Sequence, residues 1–206
     1  YNHVPFSLIA PYTLGILKSK LIYRNWYKFT FPNILKLIKQ YNFDYVDLLY
    51  IDSIYQHYLL DKINYKKAIF RIADDNRGFR KYNSNYEHFM KKIIMNVDYV
   101  VYTAKNLESF IHKFNPKDTI YLPNGVNIDN FKDMNYELPV EFKKIEKPIV
   151  VYVGAIKEWF DFEAVQYAAK ILTDYVFVII GNIELANKYL GKISNIYLLG
   201  PKKYNE

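Results

Sequence analysis

From Asp44 onward, short apolar runs alternate with segments of helical period, and this alternation limits the folds open to the chain. "DYVDLLYID", "KKAIFRIADD", "VDYVVYTA", "DTIYLPNG", "PIVVYVG", "DYVFVIIG" and "NIYLLG" read as strands, most of them apolar on both faces. Helical segments lie among them. "KNLESFIHKF" sets Leu107, Phe110, Ile111 and Phe114 at i, i+3, i+4 and i+7, and "DFEAVQYAAKIL" turns Val165, Ala168, Ala169 and Leu172 one way. Strands apolar on both sides belong in parallel sheets covered by helices. The expected fold class is therefore α/β, with doubly wound parallel sheets.

The alternation is interrupted once. From Ile128 to Lys147 the chain is polar, carries Pro139, and runs up to Pro148 without a long periodic stretch. The expected organisation is a first domain over residues 1–130, a linker over 131–147 with one short helix around Val140 to Ile145, and a second domain from 148 to 206. The first domain opens on loop-like sequence with no leading strand and no Met. The second stops at "GPKKYNE", where another helix should begin. Both domains thus read as incomplete, and the chain as the middle of a longer protein. Within the first, "PNILKLIKQY" is a helix with Pro32 suited to its first turn, and Ser53 caps the short helix of "SIYQHYLLDK". Pro123 presets φ for the turn after "DTIYL", and Gly125 supplies tolerance of φ > 0.

Composition narrows the partners. The 206 residues include no cysteine, so neither a disulfide framework nor a thiolate metal site is available. His3, His57, His88 and His112 are scattered and suggest no metal cluster. Net charge is +7, but the only arginines are Arg24, Arg71, Arg77 and Arg80. A lysine-rich surface gives a diffuse positive field rather than bidentate base readout, which argues against nucleic acid. Such a field, in a chain rich in aromatics, suits contact with an anionic membrane face or a phosphorylated substrate. No apolar run is long enough for a membrane-spanning helix.

In open parallel sheets, ligands bind outside the carboxyl ends of the strands. The candidate functional residues therefore follow strands: Asp52 and Ser53, Asp74 to Arg77, Thr103 to Lys105, Asn124 and Gly125, Gly154 to Asp161, and Gly181 with Asn182. Adjacent Asp74 and Asp75 are costly unless solvated or paired, and one of them suits a general base. The other reading of the pair is a helix cap beside a salt bridge. Thr103 reads as a helix cap. In "GAIKEWFD", Gly154 permits close backbone approach, Lys157 can neutralise phosphate, and Trp159 can stack. The packing alternative has Trp159 and Phe160 stapling a helix whose N-cap is Asp161.

Taken together, "DYVVYTAKNLESF", "YLPNGVNIDNF", "KPIVVYVGAIKEWFD", "FVIIGN" and "NIYLLGPKKYNE" resemble the group-1 (family-4-like) glycosyltransferases of GT-B fold. The closest likeness is to the bacterial cell-surface polysaccharide branch, of teichuronic-acid and capsule type, and it spans about Lys67 to Glu206. The resemblance implies two Rossmann-like domains facing across a cleft, an acceptor side first and a nucleotide-sugar donor side second. It implies a metal-independent transferase without a cofactor, whose substrate is a nucleotide-diphosphate sugar and whose acceptor is a glycan or a lipid-linked sugar. The place implied is the cytoplasm, at the inner face of the membrane.

By that resemblance Asp75 is the preferred base, with Asp74 structural or acceptor-positioning. Arg77 and Arg71 hold the pair or contact a phosphate, and Asn124 and Gly125 face the cleft. Gly154, Lys157 and Trp159 lie near the donor phosphates. Where many members carry an Arg and a Lys-Gly pair, this chain has Ala155 and Trp159-Phe160, which marks a divergent branch. A nucleotide-sugar epimerase of the same fold, or a non-catalytic sugar- or nucleotide-binding subunit, are the alternatives.

Overall fold

Capping side chains set the starts of the first two α-helices. A computed structural model describes residues 6–11, 15–78, 82–132 and 137–203. The chain divides into two compact units, Tyr1–Asn127 and Ile128–Glu206. The first unit begins with a short antiparallel pair, β1 (Phe6–Ser7) and β2 (Thr30–Phe31). Helix α1 (Lys20–Asn25) starts at Ser19, whose hydroxyl accepts from the Ile22 amide. Helix α2 (Ile34–Gln40) starts at Asn33, whose side-chain oxygen accepts from the Leu35 and Lys36 amides. Asn33, not the first helical turn, therefore follows Pro32, because an Asx side chain satisfies amides that proline could only vacate.

The four-stranded parallel sheet of this unit runs in the order β3 (Tyr45–Ile51), β4 (Asn64–Ile72), β5 (Tyr99–Tyr102), β6 (Thr119–Tyr121). The strands end nearly level, with Ile51 beside Phe70, and Ile72 beside Tyr102 beside Tyr121. After β3 the chain makes one 3-10 turn, Ile54–Gln56, inside a capping box. Ser53 caps it, and the Gln56 side chain accepts from the Asp52 and Ser53 amides. Helices α3 (Leu59–Lys62), α4 (Ser84–Asn96) and α5 (Glu108–His112) follow β3, β4 and β5 in turn. The helical stripe expected at Leu107, Phe110, Ile111 and Phe114 is buried throughout. With Ile51, Ala68, Ile93 and Val100 it belongs to one apolar core, lined toward α1 by Tyr23 stacked on Phe89.

The second unit has a three-stranded parallel sheet, β7 (Ile149–Val153), β8 (Val176–Ile180), β9 (Ile196–Gly200), in that order. Helix α6 (Phe162–Ile171) follows β7, and α7 (Glu184–Leu190) follows β8. Ile156, Ala169, Phe177, Ile179, Ala186 and Leu190 form a separate core. The short helix expected around Val140 to Ile145 is a hydrogen-bonded turn instead, closed by the Phe142 and Lys143 amides on the Pro139 carbonyl. Part of the expected linker, residues 133–136, lies outside the described residues, as do the last three residues of "GPKKYNE".

Two expectations about burial need amendment. Leu172, placed on the inward stripe, is exposed because α6 ends just before it. Strands apolar on both faces are buried on both faces only at the sheet centres. Edge strands β3 and β7 carry Leu48, Tyr50, Val151 and Val153 exposed, since an edge strand has a neighbour on one side alone.

Candidate functional site

At the carboxyl edge of the first sheet, a cavity of about 210 Å³ opens where β3 and β4 end. Asp52, Ser53, Arg71, Asp74 and Asn76 contribute its polar walls, and Tyr86 and Met90 of α4 close it from below. Two bonds fix its outline. Arg71, in β4, donates through Nη2 to the Asn124 side-chain oxygen at 2.6 Å, tying the end of β4 to the turn after β6. Thr103 donates to the Ala73 carbonyl at 2.6 Å. Thr103 is thus not a helix cap. Its hydroxyl is buried against the strand end beside Asp74, while the 3-10 turn that follows starts from Ala104 without a side-chain cap.

The two aspartates have different surroundings. Asp75 is gripped by Arg77: Nε donates to Oδ1 at 2.7 Å, Nη2 to Oδ2 at 2.5 Å, and the Arg77 amide to Oδ1 at 3.1 Å. That guanidinium also lies 4.3 Å from the centre of the Phe110 ring, so it is held between a carboxylate and an aromatic face. The side-chain bond from Arg77 holds the Asp75 carboxyl below the usual carboxylate range against the opposing effect of burial, and the Arg77 amide adds to it. A carboxylate with both oxygens engaged and its proton affinity lowered is a weak base. Asp74, by contrast, is among the cavity's lining residues, and Asp75 is not. Geometry thus sets the two apart: Asp75 and Arg77 form the pair that the salt-bridge alternative anticipated, and Asp74 is the one that lines the cavity.

Asn124 joins this edge through Arg71, whereas Gly125 does not show the backbone that motivated it. Its φ is not positive, and a Cβ there would meet nothing within 4 Å. The turn is open enough that no left-handed residue is required.

The second unit gathers Gly154, Lys157 and Trp159 at the carboxyl end of β7. All three of its strands end at or just before a glycine: Gly154, Gly181 and Gly200. The Gly154 amide donates to the Ile180 carbonyl and the Gly181 amide to the Gly200 carbonyl, each at 3.0 Å. At Gly181, φ is +152° and a Cβ would sit 2.1 Å from the Gly154 carbonyl oxygen. Only glycine fits there. The loop after Gly154 is divided in two. Ile156 is buried, Phe160 packs edge-on against Tyr152 at 4.9 Å, and Asp161 caps α6 by accepting from the Ala164 amide at 2.9 Å. Those residues are packing. Lys157 and Trp159 point out of it, the ammonium 5.4 Å from the indole ring, with Trp159 exposed.

Sequence reasoning found the strand-end carboxylates but missed the walls that α4 supplies. It also missed the Ser53-to-Gln56 capping box, although an S-x-x-Q spacing after a strand was there to be read. Among the described residues no group of His, Cys, Asp and Glu is placed to hold a metal ion, and no helix is long and apolar enough to cross a membrane.

No protein-family model matches the sequence, and no curated protein matches it either. Solved structures do match in fold. Sucrose-phosphate synthase from Thermosynechococcus elongatus superposes with a TM-score of 0.61 at 16% identity, over 84% of this chain and 50% of that one. HepE of Anabaena in complex with UDP-glucose gives 0.62 at 10% identity, over 83% and 52%. A glycosyltransferase from Rickettsia africae gives 0.59 at 17% identity, over 92% and 54%. The chain spans about half the length of the structures it matches. Its fold is the mixed α/β, parallel-sheet architecture of GT-B glycosyltransferases, over the part that it spans.

Proposed function

We propose that this chain is part of a glycosyltransferase that moves a sugar from a nucleotide-diphosphate donor to a polysaccharide or lipid-linked acceptor in cell-surface glycan synthesis. The observation that carries the reading is the polar cavity at the carboxyl edge of β3 and β4, with Asp74 in its wall and Arg71 tied to Asn124 beside it. The fold supports it, and one protein of that fold, HepE, was solved with UDP-glucose.

In the proposed step the acceptor hydroxyl oxygen attacks the anomeric carbon. Its proton passes to Asp74, and the bond from that carbon to the nucleotide diphosphate breaks, the electron pair leaving with the diphosphate. The step balances with no redox partner and no resident cofactor. Arg77, braced by Asp75 and Phe110, positions the segment that carries Asp74. Lys157 and Trp159 are assigned to the donor, the ammonium to a phosphate and the indole to stacking. The place proposed is the cytoplasmic face of the membrane, toward which the net charge of +7 draws the protein.

The test is turnover by the full-length protein with UDP-glucose and related donors, comparing Asp74→Asn with Asp75→Asn. Loss of a general base costs roughly 10²- to 10⁴-fold in kcat. That loss is expected for Asp74→Asn, and a smaller one for Asp75→Asn. Wild-type kcat in the Asp74 variant would sink the assignment. Donor binding with no turnover by any variant, or by the wild type, would favour a non-catalytic subunit.

A further inference from the structure

A second cavity in the first unit, of about 490 Å³, shares no residue with the candidate site. Its walls come from α1, the turn after it, α3 and α4. Lys20, Arg24, Lys28, Lys62 and Lys92 line it, and Asp61 is the only carboxylate among its lining residues. Asp61 pairs with Lys92 at 2.6 Å. Among the described residues no ion pair ties Lys20, Arg24, Lys28 or Lys62. Four cations around one concavity repel one another and lower the cost of bringing in an anion.

His57, also a lining residue, is 2% exposed and stacks on Phe89 with ring centres 4.2 Å apart. Its Nε2 lies 2.8 Å from the Tyr23 carbonyl oxygen. A carbonyl only accepts, so Nε2 carries the proton and Nδ1 is left as an acceptor. That Nδ1 is buried and has no hydrogen-bond partner. An orphaned buried acceptor costs free energy unless a donor arrives. Burial, and then the nearby Lys92 charge against the Tyr23 bond, keeps the ring's pKa below its ordinary value, so the ring stays an acceptor near neutral pH.

We propose that this cavity binds a phosphate-bearing ligand, its anionic oxygens meeting Lys20, Arg24 and Lys28 and, as the wall over the buried ring shifts to admit it, its hydroxyl donating to His57 Nδ1. Two sources carry that chemistry: a soluble phosphate or diphosphate ester, and the headgroup of an anionic lipid. Leu21, an exposed apolar residue on the same rim, gives the second source a hydrophobic contact.

Two probes decide it, both used with the whole chain in moderate salt. Inorganic pyrophosphate, which carries a P–OH at neutral pH, is titrated by calorimetry while the His57 Nδ1 nitrogen shift is followed by NMR. Vesicles of phosphatidylcholine with and without phosphatidylglycerol are used in co-sedimentation. At least one probe is expected to bind, with the Arg24→Gln/Lys28→Gln pair weakening it by roughly tenfold or more, the scale of one charge-assisted bond. Lys39→Gln, on α2 away from the cavity, should leave binding unchanged. Pyrophosphate binding with a shifted Nδ1 resonance identifies a soluble ester. Vesicle binding that requires phosphatidylglycerol identifies a lipid headgroup. If neither probe binds, or binding is indifferent to the Arg24/Lys28 pair, the proposal is overturned. Both Arg24 and Lys28 are exposed, so their loss does not threaten the fold. Binding is read without turnover, so this proposal and the transferase reading fail independently.

Discussion

Asp98 fastens the amino end of the first sheet with one side chain. One oxygen accepts from the Ala68 amide at 2.8 Å, and the other accepts from Lys67 at 3.2 Å. The Ala68 bond foremost, then Lys67, holds its carboxyl below the usual range against burial. A carboxylate whose folded value is lowered adds stability above its ordinary value and loses it as pH falls through the folded one. Asp98→Ala leaves the Ala68 amide without this partner and is expected to cost ~1–3 kcal/mol near neutral pH. Urea midpoints of the two proteins should differ at pH 7 and converge as pH falls below the ordinary carboxylate value of 3.8; midpoints that stay apart in acid would contradict the assignment. At this scale the sequence was only partly readable. An Asp beside another Asp at a strand end announces a site. Which of them is clamped depends on Arg77 folding back two residues, and that is a matter of local geometry.

Elements were more legible than single contacts, because periodicity and caps are local. The strands β3 to β9 all form at the runs that suggested them, although β4 starts two residues before its run, at Asn64, and Asp161 caps α6 as its position implied. What failed were features decided by a neighbour. Thr103 bonds across to Ala73 instead of capping forward, and the Val140–Ile145 segment makes hydrogen-bonded turns, on the Pro139 and Phe142 carbonyls, in place of a helix. The sheet of the second unit makes the dependence on neighbours testable. Gly181→Ala places a Cβ against the Gly154 carbonyl at a φ that side chains avoid, so a loss of about 1–3 kcal/mol is expected, and more if β7 must shift. Gly125→Ala, with nothing near its Cβ and no positive φ, should be close to neutral. Thermal melts of both variants check the contrast, and equal losses would show that the open turn is not open.

For the molecule as a whole, the two cores share no residue. Leu190 is fully buried in the second, and Leu190→Ala should cost ~2–5 kcal/mol there. Amide exchange should then quicken in β8 and β9 while β4 and β5 keep their protection; loss of protection in all four would mean one cooperative body. The two α/β blocks could be read from the order of strands and helices. The candidate site could be read less well, since the bond from Arg71 to Asn124 joins residues 53 positions apart, and His57 gave no sign of an unused acceptor. The glycines that close β7, β8 and β9 also set the terms on which the second unit can vary over descent. At Gly181 the space for a side chain is filled by another strand's carbonyl, so selection has no alternative residue to offer. The freedom lies one step away, at Lys157, Glu158 and Trp159, which hang from buried Ile156 and half-buried Phe160. New ligand preferences in such a unit would be written into that short loop while the sheet beneath it keeps its spelling.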